Sequence, residues 1–99
     1  MAVDQSRHEN VVGIAWYKPT QWKRLLRISE DSEALDGTYL EWSDAATDAI
    51  RALARAGLRV QRVDIDVERL LAWCAERDLP VNSESRSRYL GDRLRKEYL

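Results

Sequence analysis

Arg59-Val-Gln-Arg-Val-Asp-Ile-Asp-Val-Glu-Arg-Leu-Leu-Ala-Trp-Cys-Ala-Glu-Arg77 changes its hydrophobic period half-way along, and that change decides the fold class. Val63, Ile65 and Val67 alternate with polar residues, the period of a half-buried strand. From Val67 the spacing becomes helical through Leu70, Leu71 and Cys74, with Trp73 beside them. Asp66 stands where a helix N-cap belongs, and its carboxylate can accept from free N–H groups of the first turn. Glu68 adds negative charge at the positive end of the helix dipole. One strand therefore runs straight into one helix.

Upstream, Val11 to Tyr17 is a short continuous apolar run, as expected of a strand covered on both faces. Pro19 suits the first position of a helix reaching about Ser29, with Trp22, Leu25 and Leu26 on one stripe. Thr38-Tyr-Leu-Glu41 is a capping box, with the Thr38 hydroxyl bonding the Glu41 N–H and the Glu41 carboxylate reaching back to the Thr38 N–H. A helix to Ala56 follows, and Gly57 with Leu58 forms a Schellman ending. Downstream, Leu79-Pro80 stops the third helix near Asp78, and Asn82 or Ser83 caps a last helix to about Tyr98, with Tyr89, Leu90, Leu94 and Tyr98 facing inward.

The expected fold is α/β (α+β), a small two-stranded sheet with four helices in the order β-α-α-β-α-α. Its expected core is Trp16, Trp22, Trp42, Leu53, Val63, Ile65, Leu70, Leu71 and Leu90. Residues 1–9 are expected to be a flexible tail, and 10–99 a single domain. Two strands make a poor sheet with open edges. The sequence therefore predicts a homodimer, joined at sheet edges or at helix faces.

Ninety-nine residues suit one small domain with one modest core. Thirteen Arg and 3 Lys nearly balance 17 acids, for a net charge of −1 that leaves no broad footprint for nucleic acid or anionic membrane. A single cysteine excludes an internal disulfide and a cysteine-based zinc site. Cys74 falls on an apolar stripe and is expected to be buried. There is no apolar leader or membrane-length run, so the expected location is cytoplasmic.

Charge is blocked along the chain. Residues 30 to 48 carry seven acids and no base, between basic stretches at 18–27 and 51–62. Helix-dipole complementation explains much of this; a partner surface of two signs is the sharper reading. Asp64 and Asp66 lie at the end of a strand where α/β folds often place ligands, but Asp66 already has a capping role and no third metal ligand is evident. His8 lies in the polar N-terminal stretch. No glycine-rich phosphate loop, nucleophile elbow or His/Cys pairing is present, so no catalytic residue, metal site or cofactor is assigned. The leading function is a non-enzymatic protein-interaction module that binds itself or another protein, with Tyr17, Tyr39 and Trp73 as the candidate interface because aromatics anchor interfaces. The alternative is a nucleic-acid-binding regulator using Arg86, Arg88, Arg93, Arg95 and Lys96 of the last helix.

Gly13-Ile-Ala-Trp-Tyr17 ahead of Pro19-Thr-Gln-Trp22, with Thr38-Tyr-Leu-Glu-Trp42, Val63-Asp-Ile-Asp66, Leu71-Ala-Trp-Cys74 and Leu79-Pro80, resembles a group of small uncharacterised bacterial proteins. The likeness covers roughly residues 13 to 95. It implies a bacterial cytosolic origin. It brings no assigned activity, so no catalytic or binding residue carries over from it.

Overall fold

A computed structural model of the chain describes residues 3–8 and 10–99. The period change marks a real junction. Strand β3 is Arg59–Asp64 and helix α3 is Val67–Glu76. Asp66 accepts from the Arg69 N–H at 3.1 Å, and Val63, Ile65 and Val67 are all buried. Before them come strand β2 (Val11–Trp16), helix α1 (Trp22–Ile28) and helix α2 (Tyr39–Arg55), with short 3-10 turns at Pro19–Gln21 and Ser32–Ala34. Helix α4 (Ser83–Tyr98) closes the chain, with Asn82 and Ser85 forming a reciprocal capping box.

The helix ends follow from local chemistry. Thr38 accepts from the Glu41 N–H at 3.2 Å, but the Glu41 carboxylate takes the Thr38 hydroxyl at 2.8 Å rather than the Thr38 N–H. Gly57 has φ +86°, and the Leu58 N–H reaches the Leu53 carbonyl, completing the Schellman ending. Helix α3 ends the same way, with Leu79 N–H on the Cys74 carbonyl, but its left-handed residue is Asp78, at φ +53°. A side chain there costs about 1 kcal/mol. Asp78→Gly is therefore expected to raise the unfolding free energy by ~0.5–1 kcal/mol in urea titration; no gain would mean Asp78 is not strained.

The two-stranded sheet is corrected to three strands. Gln5–His8, expected to be tail, is strand β1; it pairs antiparallel with β2, Ser6 opposite Gly13, and β2 pairs parallel with β3, Ala15 opposite Val63. The order is thus β-β-α-α-β-α-α. Backbone pairing, not apolar side chains, holds β1 in place, since Gln5, Arg7 and His8 are exposed. Met1, Ala2 and Glu9 of the expected tail lie outside the described residues.

The sheet has a helix layer on each face. Val11, Gly13, Ala15 and Val63 share one face by the strand alternation. There α4 crosses all three strands, so closely that a Cβ on Gly13 would lie 3.2 Å from Leu94 and one on Gly91 would lie 3.0 Å from Ser6 Oγ. The other face carries Trp16 and is covered by α2, whose Trp42 ring lies 5.0 Å from that of Trp16. This explains why Val11 through Ala15 are all buried.

The outer edge of β3 is guarded. The Arg59 and Ile65 N–H groups donate to the carbonyls of Asn10, just before β2, and Trp16, so the alternate groups of Arg62 and Asp64 face outward. Gln61 Nε2 takes the Arg62 carbonyl at 2.7 Å, and Arg93 takes the Asp64 carbonyl at 2.9 Å. These bonds occupy acceptors that a second strand would need.

Of the expected core, Trp22, Trp42, Val63, Ile65, Leu70 and Leu90 are buried, and so is Cys74. Trp16 and Leu71 are half-buried against the core. Leu53 is half-buried in a notch with Val12 and Leu58, and Tyr98 is 43% exposed rather than inward.

Candidate functional site

Two of the sequence candidates, Tyr17 and Arg86, meet inside the protein. Arg86 lies on the same stripe of α4 as Tyr89, Leu90 and Leu94 and is 2% exposed. Its Nε donates to Asp4 Oδ2 at 2.9 Å, and its two terminal nitrogens donate to the Asp31 oxygens at 2.8 and 2.9 Å. Ser29 Oγ is 3.2 Å from Nη1, and Tyr17, itself 2% exposed, donates its hydroxyl to Asp4 Oδ2 at 3.0 Å. Burial pushes the Tyr17 phenol well above its ordinary range, and the Asp4 carboxylate adds to this, so the hydroxyl remains a donor. Burial also pushes Asp4 up, against the pull of Arg86, whereas Asp31 is held below the usual carboxylate range by its hydrogen bonds from Arg86. This cluster ties the chain before β1 to the end of α1, the following loop and α4. It is a structural clamp, which removes Tyr17 from the proposed aromatic interface and Arg86 from the proposed nucleic-acid contact.

Tyr39 belongs to a second cluster. Its ring lies 5.4 Å from Trp42 and 6.2 Å from Trp22 and is half-buried. It serves the packing of α2 on α1, apart from Trp73.

Trp73 stands on different ground. It is half-buried on α3, edge-on to Tyr89, with the Arg77 guanidinium 4.1 Å and the Arg88 guanidinium 6.0 Å from its ring. Cation–π attraction holds Arg77 there, and its Nη1 also donates to the Trp73 carbonyl. The Trp73 indole N–H is buried and has no acceptor among the described residues. Trp73 and Arg77, one helical turn apart, form one wall of a surface groove of about 520 Å³. The facing wall is a stripe of α4 carrying Glu84, Arg88, Asp92 and Arg95, and Ser6 of β1 lies at its side. Asp92 is taken by Lys96 at 3.1 Å and approached by Arg95 at 4.0 Å. Arg88 is exposed and makes no ion pair among the described residues. The groove thus offers a cationic, donor-rich rim around an aromatic wall. Sequence reasoning found Trp73 and missed Arg77, although the four-residue spacing on one helix was a usable signal.

The remaining bases of α4 are mostly engaged with its own acids. Arg93 pairs with Glu97 and Lys96 with Asp92, which leaves Arg88, and Arg95 at 4.0 Å from Asp92, as the cationic surface of α4 at the groove rim. At the strand end, Asp66 caps α3, and the described residues hold no cluster of three or more metal-ligating side chains. No helix among them is long and apolar enough to cross a membrane. Comparison with protein-family models, with curated proteins and with solved structures returns no match. The groove's own geometry is therefore the basis for its functional reading.

Proposed function

We propose that this chain is a non-enzymatic, cytoplasmic protein-interaction module that self-associates, with the groove between α3 and α4 as its contact surface. The observation that carries this is Trp73, a half-buried indole at a groove wall with three arginines along the same groove. Aromatic and arginine side chains together are what interfaces concentrate at their centres. The case for joining sheet edges is weaker: β1 supplies a third strand, both faces are covered, and outward carbonyls of β3 are already bonded.

Light scattering across a concentration series tests the proposal. The mass of the parent chain is expected to rise above the 11.5 kDa of one copy, and Trp73→Ala is expected to hold it there while keeping its circular dichroism. A parent chain that stays at one-copy mass at every concentration would remove self-association. Unchanged assembly by a folded Trp73→Ala would remove this surface.

A further inference from the structure

The groove has a counterpart of opposite charge on the other side of the sheet. Leu40 is 68% exposed, the most exposed large hydrophobic residue of those described. Glu41, Asp44 and Asp48 are also exposed, and helical spacing places them with Leu40 along one side of the first turns of α2. This is an apolar side chain among carboxylates, bounded by Arg51 at 3.9 Å from Asp48; the groove is an aromatic side chain among guanidiniums, with Glu84 and Asp92 between them. The two patches cannot meet within one chain, because α2 covers the Trp16 face of the sheet and α4 covers the Gly13 face.

We infer that the groove of one copy takes the acidic N-terminal turns of α2 from a second copy, Leu40 against Trp73 and Asp44 and Asp48 against Arg88 and Arg95. This rests on the self-association proposed above and names its two surfaces. A helix laid along a groove between helices is a common recognition mode, with one apolar anchor and a charged rim. Groove carboxylates lower the positive charge without reversing it: Asp92 is shared by Lys96 at 3.1 Å and Arg95 at 4.0 Å, Glu76 lies 3.5 Å from Arg77, and Glu84 stands against Arg88, which makes no ion pair among the described residues. Because the two patches differ and lie on opposite faces, the contact is head-to-tail and each pair keeps one groove and one α2 open. Assembly therefore passes beyond a pair as concentration rises, and weakens as salt screens the charges.

Two charge-reversed variants separate the surfaces. Arg88→Glu with Arg95→Glu disables the groove and leaves α2 intact; Asp44→Lys with Asp48→Lys does the reverse. All four side chains are exposed, so both variants are expected to keep the parent circular dichroism. Each alone is expected to associate at least about tenfold more weakly than the parent. Mixed in equal amounts, they are expected to regain growth past about 23 kDa, twice the 11.5 kDa chain, because the parent groove of one meets the parent α2 of the other and the two charge-reversed surfaces are again opposite in sign. The neutral pair Arg88→Gln with Arg95→Gln gives the same direction with a smaller loss, and stands in if the reversed variant does not fold. Variants that grow like the parent, or a mixture that does not pair, overturn the assignment while self-association stands. A parent chain that never leaves one-copy mass overturns both.

Discussion

Arg86→Ala is expected to remove about 3–5 kcal/mol of unfolding free energy, the largest loss from any polar residue described here. The cost does not arise from the ion pair's own strength, because two buried charges lose hydration that their attraction only partly returns. It arises from what is left behind. Asp4 is 6% exposed, and without Arg86 its carboxyl keeps only the Tyr17 hydroxyl. The loop at Ser29 and Asp31 loses its side-chain bonds to Arg86 and keeps the Asp31 bond to the Ser83 N–H, the Glu30 carboxylate's bond from Asn82 Nδ2 and the Glu30 N–H bond to the Val81 carbonyl. Urea unfolding measures the loss. Asp4→Asn combined with Arg86→Met is expected to cost less than the two single losses added, since the buried Asp4 charge is then no longer stranded and the partly exposed Asp31 keeps the Ser83 N–H. A loss under about 1 kcal/mol for Arg86→Ala would mean that the buried geometry carries no energetic weight.

Trp42→Ala is expected to be as damaging, at about 3–5 kcal/mol. Trp42 is 1% exposed and lies at the centre of the aromatic cluster. Its ring lies 5.0 Å from Trp16, 5.1 Å from Trp22, 5.3 Å from Tyr17 and 5.4 Å from Tyr39. One side chain thereby joins α2 to α1 and to β2. Removing it leaves a cavity bounded by rings that cannot collapse into it, and aromatic pairs add to the area term. For a domain of this size the melting temperature is expected to fall by roughly 15 °C or more. A fall of only a few degrees would mean the cluster repacks around the gap.

These two residues also show what was legible in the sequence. Trp42 lies on an amphipathic stripe between a capping box and a glycine ending, so its burial follows from period alone. The same reasoning applied to Arg86 would have found it. Arg86 is three and four residues before Tyr89 and Leu90, on the apolar side of α4, whereas Arg88 is off that stripe and exposed. Grouping all α4 bases by charge hid this difference. Tyr17 continues the alternation of Val11, Gly13 and Ala15 and so belongs to the face that α4 covers, in a run that is buried on both sides. β1 gave no comparable signal. Gln5-Ser-Arg-His has no apolar alternation, and its place depends on backbone pairing with β2 and on Asp4, whose partner lies 82 residues away. The groove was half legible: Trp73 was visible as an aromatic candidate, but its neighbours on α4 and Ser6 are brought to it only by the tertiary fold.

The most direct measurement is a dilution series of the amide proton–nitrogen spectrum. Concentration-dependent shifts are expected at 73–77 and along the groove side of α4 between Glu84 and Arg95. A second set is expected at residues 40–48. Shifts at Gln5, Arg7 and His8 of β1 with none at 73–77 or 40–48, or no shifts at all across the series, would contradict the account.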